Sequence, residues 1–149
     1  MSVLKSKATR WLTSAAVLLG VAVVGPVATA PAASAASGSC SGSIVDTLNH
    51  YNYSGTHVAT SYLYWDGTYN CVRADKVGSY YGVSSRMSLT IYNQKGGADP
   101  DNGYFKYYAG PVKVNGQNTC IAFELDMWST SGADMLQDRV PASGFNHCG

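Results

Sequence analysis

The chain has 149 residues, with 10 basic and 9 acidic side chains and a formal charge of +1. An N-terminal stretch reads as a leader; setting it aside removes Lys5, Lys7 and Arg10 and leaves about 114 residues, with 7 basic against 9 acidic side chains and a net charge of −2. That size excludes a multidomain enzyme, the composition excludes a disordered tail, and the charge supplies no drive towards nucleic acid or an anionic membrane.

Residues 1–35 have the form of a secretory signal peptide. A basic start precedes an apolar run over 11–24, and Ala33-Ser34-Ala35 is the favoured cleavage tripeptide. The run is 14 residues long and is interrupted by Gly25-Pro26, too short for the roughly 20 residues of a spanning helix. Cys40 follows Ser37-Gly38-Ser39, which lacks the leucine-like residue that a lipidated cysteine requires. The expectation is an exported, extracellular protein whose mature part, 36–149, is one domain.

All four cysteines, Cys40, Cys71, Cys120 and Cys148, fall in that domain. An even number in a small exported domain reads as two disulfides. Four cysteines permit three pairings; the favoured one joins Cys40 to Cys71 and Cys120 to Cys148, closing loops of about 31 and 28 residues worth roughly 3–4 kcal/mol each. No C-x2-C or H-x3-H spacing supports a zinc site.

Along the domain the hydrophobic period is two, broken by turn residues. Residues 56–65 (THVATSYLYW) and 68–74 (TYNCVRA) flank Asp66-Gly67, a strong hairpin signal. A two-residue turn at Asp66-Gly67 would set Tyr64 opposite Tyr69 and Tyr62 opposite Cys71, placing Tyr62, Tyr64 and Tyr69 on one face. Residues 86–93 (RMSLTIYN) predict a half-buried strand with Met87, Leu89 and Ile91 inward. GGADPDNG, between Gly96 and Gly103, predicts a polar loop, and 104–109 (YFKYYA) a strand that Gly110-Pro111 breaks or bends. Asn115-Gly116 gives a second hairpin signal before 120–127 (CIAFELDM), where Ile121, Phe123, Leu125 and Met127 face in and Ala122, Glu124 and Asp126 face out. The stretch from Ser129 onward reads as irregular, with one short helical turn over 134–140. These elements predict an all-β fold, a small antiparallel β-sandwich or barrel stapled by two disulfides.

Chemistry is harder to find. No G-x-S-x-G elbow accompanies the serines, and His50, His57 and His147 read as surface or loop residues. Glu124 and Asp126 share a strand face but read as a solvated edge rather than a glycosidase pair. Asp99, Asp101 and Asn102 offer oxygen ligands for calcium, yet Tyr104 and Gly110 stand where an EF-hand needs Gly and Glu, so a polar turn is the simpler reading. No catalytic residue, metal site or cofactor is assigned. The compositional excess is tyrosine, 11 in all and every one in the domain. Aromatic rows on a sheet can stack on sugar rings or simply pack across strands; Tyr62, Tyr64 and Tyr69 are the candidate ligand-binding aromatics.

Tyr69-Asn70-Cys71-Val72, Tyr107-Tyr108-Ala109-Gly110-Pro111-Val112, Cys120 at the start of a strand and the terminal His147-Cys148-Gly149 occur in this order. Together they resemble the spore-associated protein A family of small secreted actinobacterial proteins, over most of the chain from Cys40 on. The sequence departs from it at Glu124-Leu125-Asp126, where a Trp-Gly-Gly-like segment is expected. The resemblance implies a secreted spore- or cell-surface-associated protein and carries no established activity or catalytic residue. The expected function is non-catalytic association with the spore or cell surface, with wall polysaccharide or a surface protein as partner and neither nucleic acid nor membrane. The alternative is a secreted proteinase inhibitor, presenting the loop between Gly96 and Gly103 or the stretch from Ser129 to Ser143.

Overall fold

The structure, a computed structural model, describes residues 39–149. The predicted leader over 1–35 lies outside the described residues. Eight strands follow in chain order: β1 (Ser43–Tyr51), β2 (His57–Trp65), β3 (Tyr69–Lys76), β4 (Ser85–Asn93), β5 (Ala98–Phe105), β6 (Tyr108–Asn115), β7 (Ile121–Trp128) and β8 (Asp134–Val140). A single 3-10 turn, Gly78–Tyr80, separates β3 from β4. The strands form two antiparallel four-stranded sheets, ordered β1-β2-β3-β6 and β5-β4-β7-β8. This is the predicted all-β sandwich, and both disulfides have the favoured pairing, Cys40–Cys71 and Cys120–Cys148.

Period-two patterning explains the core. Leu63, Val72, Ala74, Val112 and Val114 of the first sheet meet Met87, Leu89, Ile91, Phe123, Leu125 and Met127 of the second. Each large apolar side chain withdrawn from water in this way contributes about 1.5–3 kcal/mol. The predicted inward faces of β4 and β7 are the observed ones, although Ala122, expected outside, is also buried. It sits on a central strand opposite Tyr92 of β4, whose side chain flanks it.

The β2–β3 hairpin forms with a different turn. Its central residues are Gly67 and Thr68, so Tyr64 lies opposite Cys71, Leu63 opposite Val72 and Tyr62 opposite Arg73. Gly67, at φ +94°, takes the first central position, the pattern of a type II′ turn rather than type I′. Asp66 closes the turn instead of centring it: its Oδ1 accepts the N–H groups of Thr68 and Tyr69 at 2.9 and 2.7 Å. The register moves by two residues, so the parity of each strand is unchanged and Tyr69 keeps the face of Tyr62 and Tyr64.

Four expectations for the second half are corrected. The polar segment between Gly96 and Gly103 is not a loop but most of β5, paired with β4 from Ala98 to Phe105. The strand expected over 104–109 is split: β5 ends at Phe105, Lys106-Tyr107 carries the chain across to the other sheet, and β6 begins at Tyr108. Asn115-Gly116 does not join a hairpin, because β6 pairs with β3 while β7 pairs with β4 and β8. Residues 134–140 form β8, not a helical turn; a bulge at Met135 lets Met135 and Leu136 both turn inward. The bend expected at Gly110-Pro111 is present as a bulge in β6 opposite Val72 and Ala74. Gly110 adopts φ +90° there, and a Cβ at this position would stand 2.7 Å from the Val72 carbonyl oxygen.

Side chains, not backbone ladders, join the sheets at their edges. Asp101 and Asp99 of β5 accept the backbone N–H groups of Gly110 and Lys113 of β6, each at 2.7 Å. The carboxylates read as calcium-ligand candidates therefore serve as acceptors for an otherwise unpaired strand edge. On the opposite side His50 of β1 reaches Asp138 of β8, and the Tyr53 N–H donates to the Met135 carbonyl. Lys76 lies almost fully buried at one end of the sandwich, donating to the Val83 carbonyl at 2.8 Å, the Ser85 hydroxyl at 2.7 Å and the Phe105 carbonyl at 2.8 Å.

Candidate functional site

The outer face of the first sheet carries the candidate tyrosines. Since directly opposed residues share a face, the register sets Tyr62 between Thr47 and Arg73, and Tyr64 between Ile44 and Cys71, with Lys113 next in the row. Thr60, Asp75 and Tyr108 make a third row, and Tyr69 stands beside Asn115. Tyr62 and Tyr64 are half-buried by these neighbours, whereas Tyr69 is 39% exposed beside the Cys40–Cys71 disulfide. The three named aromatics thus lie on one face, as parity requires.

Sequence reasoning missed the polar partners of this face. Arg73 donates through Nε and Nη2 to the two carboxylate oxygens of Asp75, both at 2.7 Å, and its guanidinium lies 5.0 Å from the Tyr108 ring centre. Asp75's hydrogen bonds hold the Arg73 pKa above its ordinary value. Lys113 lies 5.3 Å from the Tyr69 ring centre. The signal was available: continuing the alternation of Tyr69 and Cys71 puts Arg73 and Asp75 on the same face.

A hydrolase-like constellation emerges elsewhere. Ser61 Oγ is 2.8 Å from His50 Nε2, and His50 Nδ1 is 2.7 Å from Asp138 Oδ2. A carboxylate only accepts, so Nδ1 carries the proton and donates to Asp138 while the Ser61 hydroxyl donates to Nε2. The atoms are those of a catalytic triad, but the access is reversed. Ser61 and His50 have no exposed surface, whereas the Asp138 side chain is 41% exposed. A nucleophile must reach a carbonyl carbon beside oxyanion donors; here it points into the core. Burial also holds the His50 pKa below its ordinary value, despite the opposing pull of the Asp138 hydrogen bond and charge. The reading of His50 as a surface or loop residue is corrected: it is a fully buried tie between the sheets.

The other titratable residues disperse. His57 sits on β2, its Nε2 3.0 Å from both the Ala59 carbonyl and the Thr60 hydroxyl, and His147 of the C-terminal tail contacts Asp46 at 3.1 Å. Glu124 and Asp126 share the outer face of the second sheet. Desolvation, with Glu124 and Asp134 adding to it, raises the Asp126 pKa. Among the described residues no three His, Cys, Asp or Glu side chains converge as a metal site would need. No helix of the described residues is long and apolar enough to cross a membrane, and the two disulfides suit an oxidising, extracellular setting. In comparisons with known proteins, no family model matches the chain, and no curated protein or solved structure matches it significantly.

Proposed function

We propose that this protein is secreted and acts without catalysis at the spore or cell surface, holding wall polysaccharide against the outer face of its first sheet. The observation that carries the reading is the convergence of Tyr62, Tyr64 and Tyr69 on one face of a disulfide-braced sheet, where aromatic rings can stack on sugar rings. The N-terminal leader pattern and the resemblance to spore-associated proteins support the location. The sealing of Ser61 supports the absence of acyl-transfer chemistry at the triad-like cluster. The segment between Gly96 and Gly103 lies largely in β5, and the middle of the stretch from Ser129 to Ser143 is β8, so no observation favours the inhibitor reading.

The test is co-sedimentation of the disulfide-intact protein with washed spores, peptidoglycan and chitin, beside its reduced form. Saturable retention, lost on reduction and lost when Tyr62 and Tyr69 are both changed to Ala in a protein of unchanged circular dichroism, is the expected result. Retention unaffected by the double substitution would refute the assignment of this face.

A further inference from the structure

At one end of the same face lies a groove of about 320 Å³, lined by Arg73, Asp75, Tyr81, Tyr107 and Tyr108. The Tyr81 and Tyr107 rings are 5.0 Å apart and tilted by 58°. They are 61% and 48% exposed, so neither gains much from burial. Arg73 and Asp75 form a partly exposed ion pair on one strand, an arrangement that adds little stability. These groups are poorly placed to hold the fold together and well placed to meet a ligand.

The groove is also held in shape before anything binds. The Gly82 N–H donates to the Lys106 carbonyl at 2.8 Å, the Lys76 N–H donates to the Tyr107 carbonyl at 2.8 Å, and the Tyr81 N–H donates to the Gly78 carbonyl at 3.3 Å. The turn bearing Tyr81 is thereby pinned to the link bearing Tyr107, which lowers the ordering cost of binding.

The geometry points to a binding site for a neutral pyranose ring of a glycan; this inference rests on the polysaccharide reading above and gives it a specific subsite. Asp75 neutralises Arg73, so the fork has no net charge to attract an anion or a cation. Among the described residues Arg73 donates only to Asp75, leaving Nη1 and one Nη2 hydrogen facing away from the pair. The carboxylate keeps lone pairs beyond the two that Arg73 occupies. Donors and acceptors therefore stand side by side in a fixed plane, as adjacent ring hydroxyls require, while tyrosine faces meet the apolar C–H faces of the sugar. Six residues along β3, about 20 Å at about 3.3 Å per residue, separate Asp75 from Tyr69. The ligand is accordingly an oligosaccharide lying along β3, with one ring seated between Arg73–Asp75 and Tyr81–Tyr107.

The experiment is saturation-transfer and amide-shift NMR on the disulfide-intact protein with cellotetraose and chitotetraose. Tetragalacturonate and a mononucleotide serve as the anionic and base-stacking comparisons. A neutral tetrasaccharide is expected to shift the amides of residues 73–75, 81 and 107, to bind more tightly than its disaccharide, and to lose at least tenfold in affinity in Tyr81→Ala/Tyr107→Ala and in Asp75→Asn. The exposed rings make the first variant safe for folding, and Tyr107→Phe should retain binding. Neutral sugars binding equally to the groove variants and wild type, but not to Tyr62→Ala/Tyr69→Ala, would overturn the groove and leave the sheet-face reading standing. The same division follows if whole walls retain the protein but no neutral tetrasaccharide binds. Preference for tetragalacturonate or the nucleotide in the groove overturns the neutral-ring assignment. Failure with both tetrasaccharides and walls removes both readings.

Discussion

Replacing Lys76 by Met tests how the end of the sandwich is held. Lys76 is almost fully buried and meets three acceptors and no carboxylate, and burial pushes its ammonium below its ordinary pKa. Methionine keeps most of the chain length and removes the charge. The Ser85 hydroxyl and Phe105 carbonyl bonds are buried, and leaving those acceptors unpaired costs roughly 1–3 kcal/mol each. The Val83 carbonyl lies at the surface and can turn to water. Relief from carrying a desolvated ammonium returns part of the loss, so the net destabilisation is about 2–3 kcal/mol. At about 4 °C per kcal/mol for a domain of this length, the melting temperature falls by roughly 10 °C. Lys76→Ala removes three methylenes as well, each worth about 0.8 kcal/mol, and should cost about 2 kcal/mol more than Met. Guanidinium denaturation at pH 7 with the disulfides oxidised measures both. A Met variant as stable as wild type, or more so, would show that the charge costs more than its bonds return, and would refute the reasoning.

Other consequences can be measured on the same material. Cys120→Ala/Cys148→Ala, which opens a loop with a sequence separation of 28, should cost about 3–4 kcal/mol in denaturation midpoint analysis and release the tail that Asn146 pairs to Ile121. Asp101→Ala should cost about 1.5–3 kcal/mol and speed amide exchange at Gly110, with Asp101→Asn milder because its amide oxygen can take the place of the accepting Oδ2; unchanged exchange would argue against the seam. The folded pKa of His50 lies below 6.5, so the unfolded chain binds the proton first. Its contribution is therefore complete above pH 6.5 and lost as the pH falls below it, by at most about 1.4 kcal/mol per pH unit. Stability measured between pH 7.5 and 5 should show this slope in wild type and lose it in His50→Gln. A fluorophosphonate should leave native Ser61 unlabelled, and stoichiometric labelling would make the buried cluster an active site.

The tyrosine face was legible because strand parity survives an error in the turn. Moving the β2–β3 register by two residues changed every partner of Tyr62 and Tyr64 but not the side on which they stand. Arg73 and Asp75 were open to the same parity argument. Tyr81, Tyr107 and Tyr108 were not, since Tyr108 reaches Asp75 through the β3–β6 pairing and the turn after β3 meets the β5–β6 link through bonds distant in the chain, among them that of Gly82 to Lys106. His50 and Lys76 gave no local sign of burial, because what buries a polar side chain is its distant partners: Asp138 and Ser61 for one, Ser85 and Phe105 for the other.

The amino-acid sequence by itself determined the all-β class, the inward faces of β4 and β7 and the existence of the β2–β3 hairpin. These depend on alternation and turn chemistry within a few residues. It also favoured the observed cysteine pairing among the three permitted. Tertiary structure alone decided that GADPDNG is a strand, since β5 alternates between exposed and half-buried residues until Phe105 and leaves no hydrophobic signal; its order comes from the ladder with β4. It alone sent β6 and β7 to different sheets and made 134–140 an edge strand, because sheet membership is set by hydrogen bonds to strands distant in the chain. Asp99 and Asp101 acquired their role in the same way, as acceptors for amides that become neighbours only when β5 and β6 lie side by side.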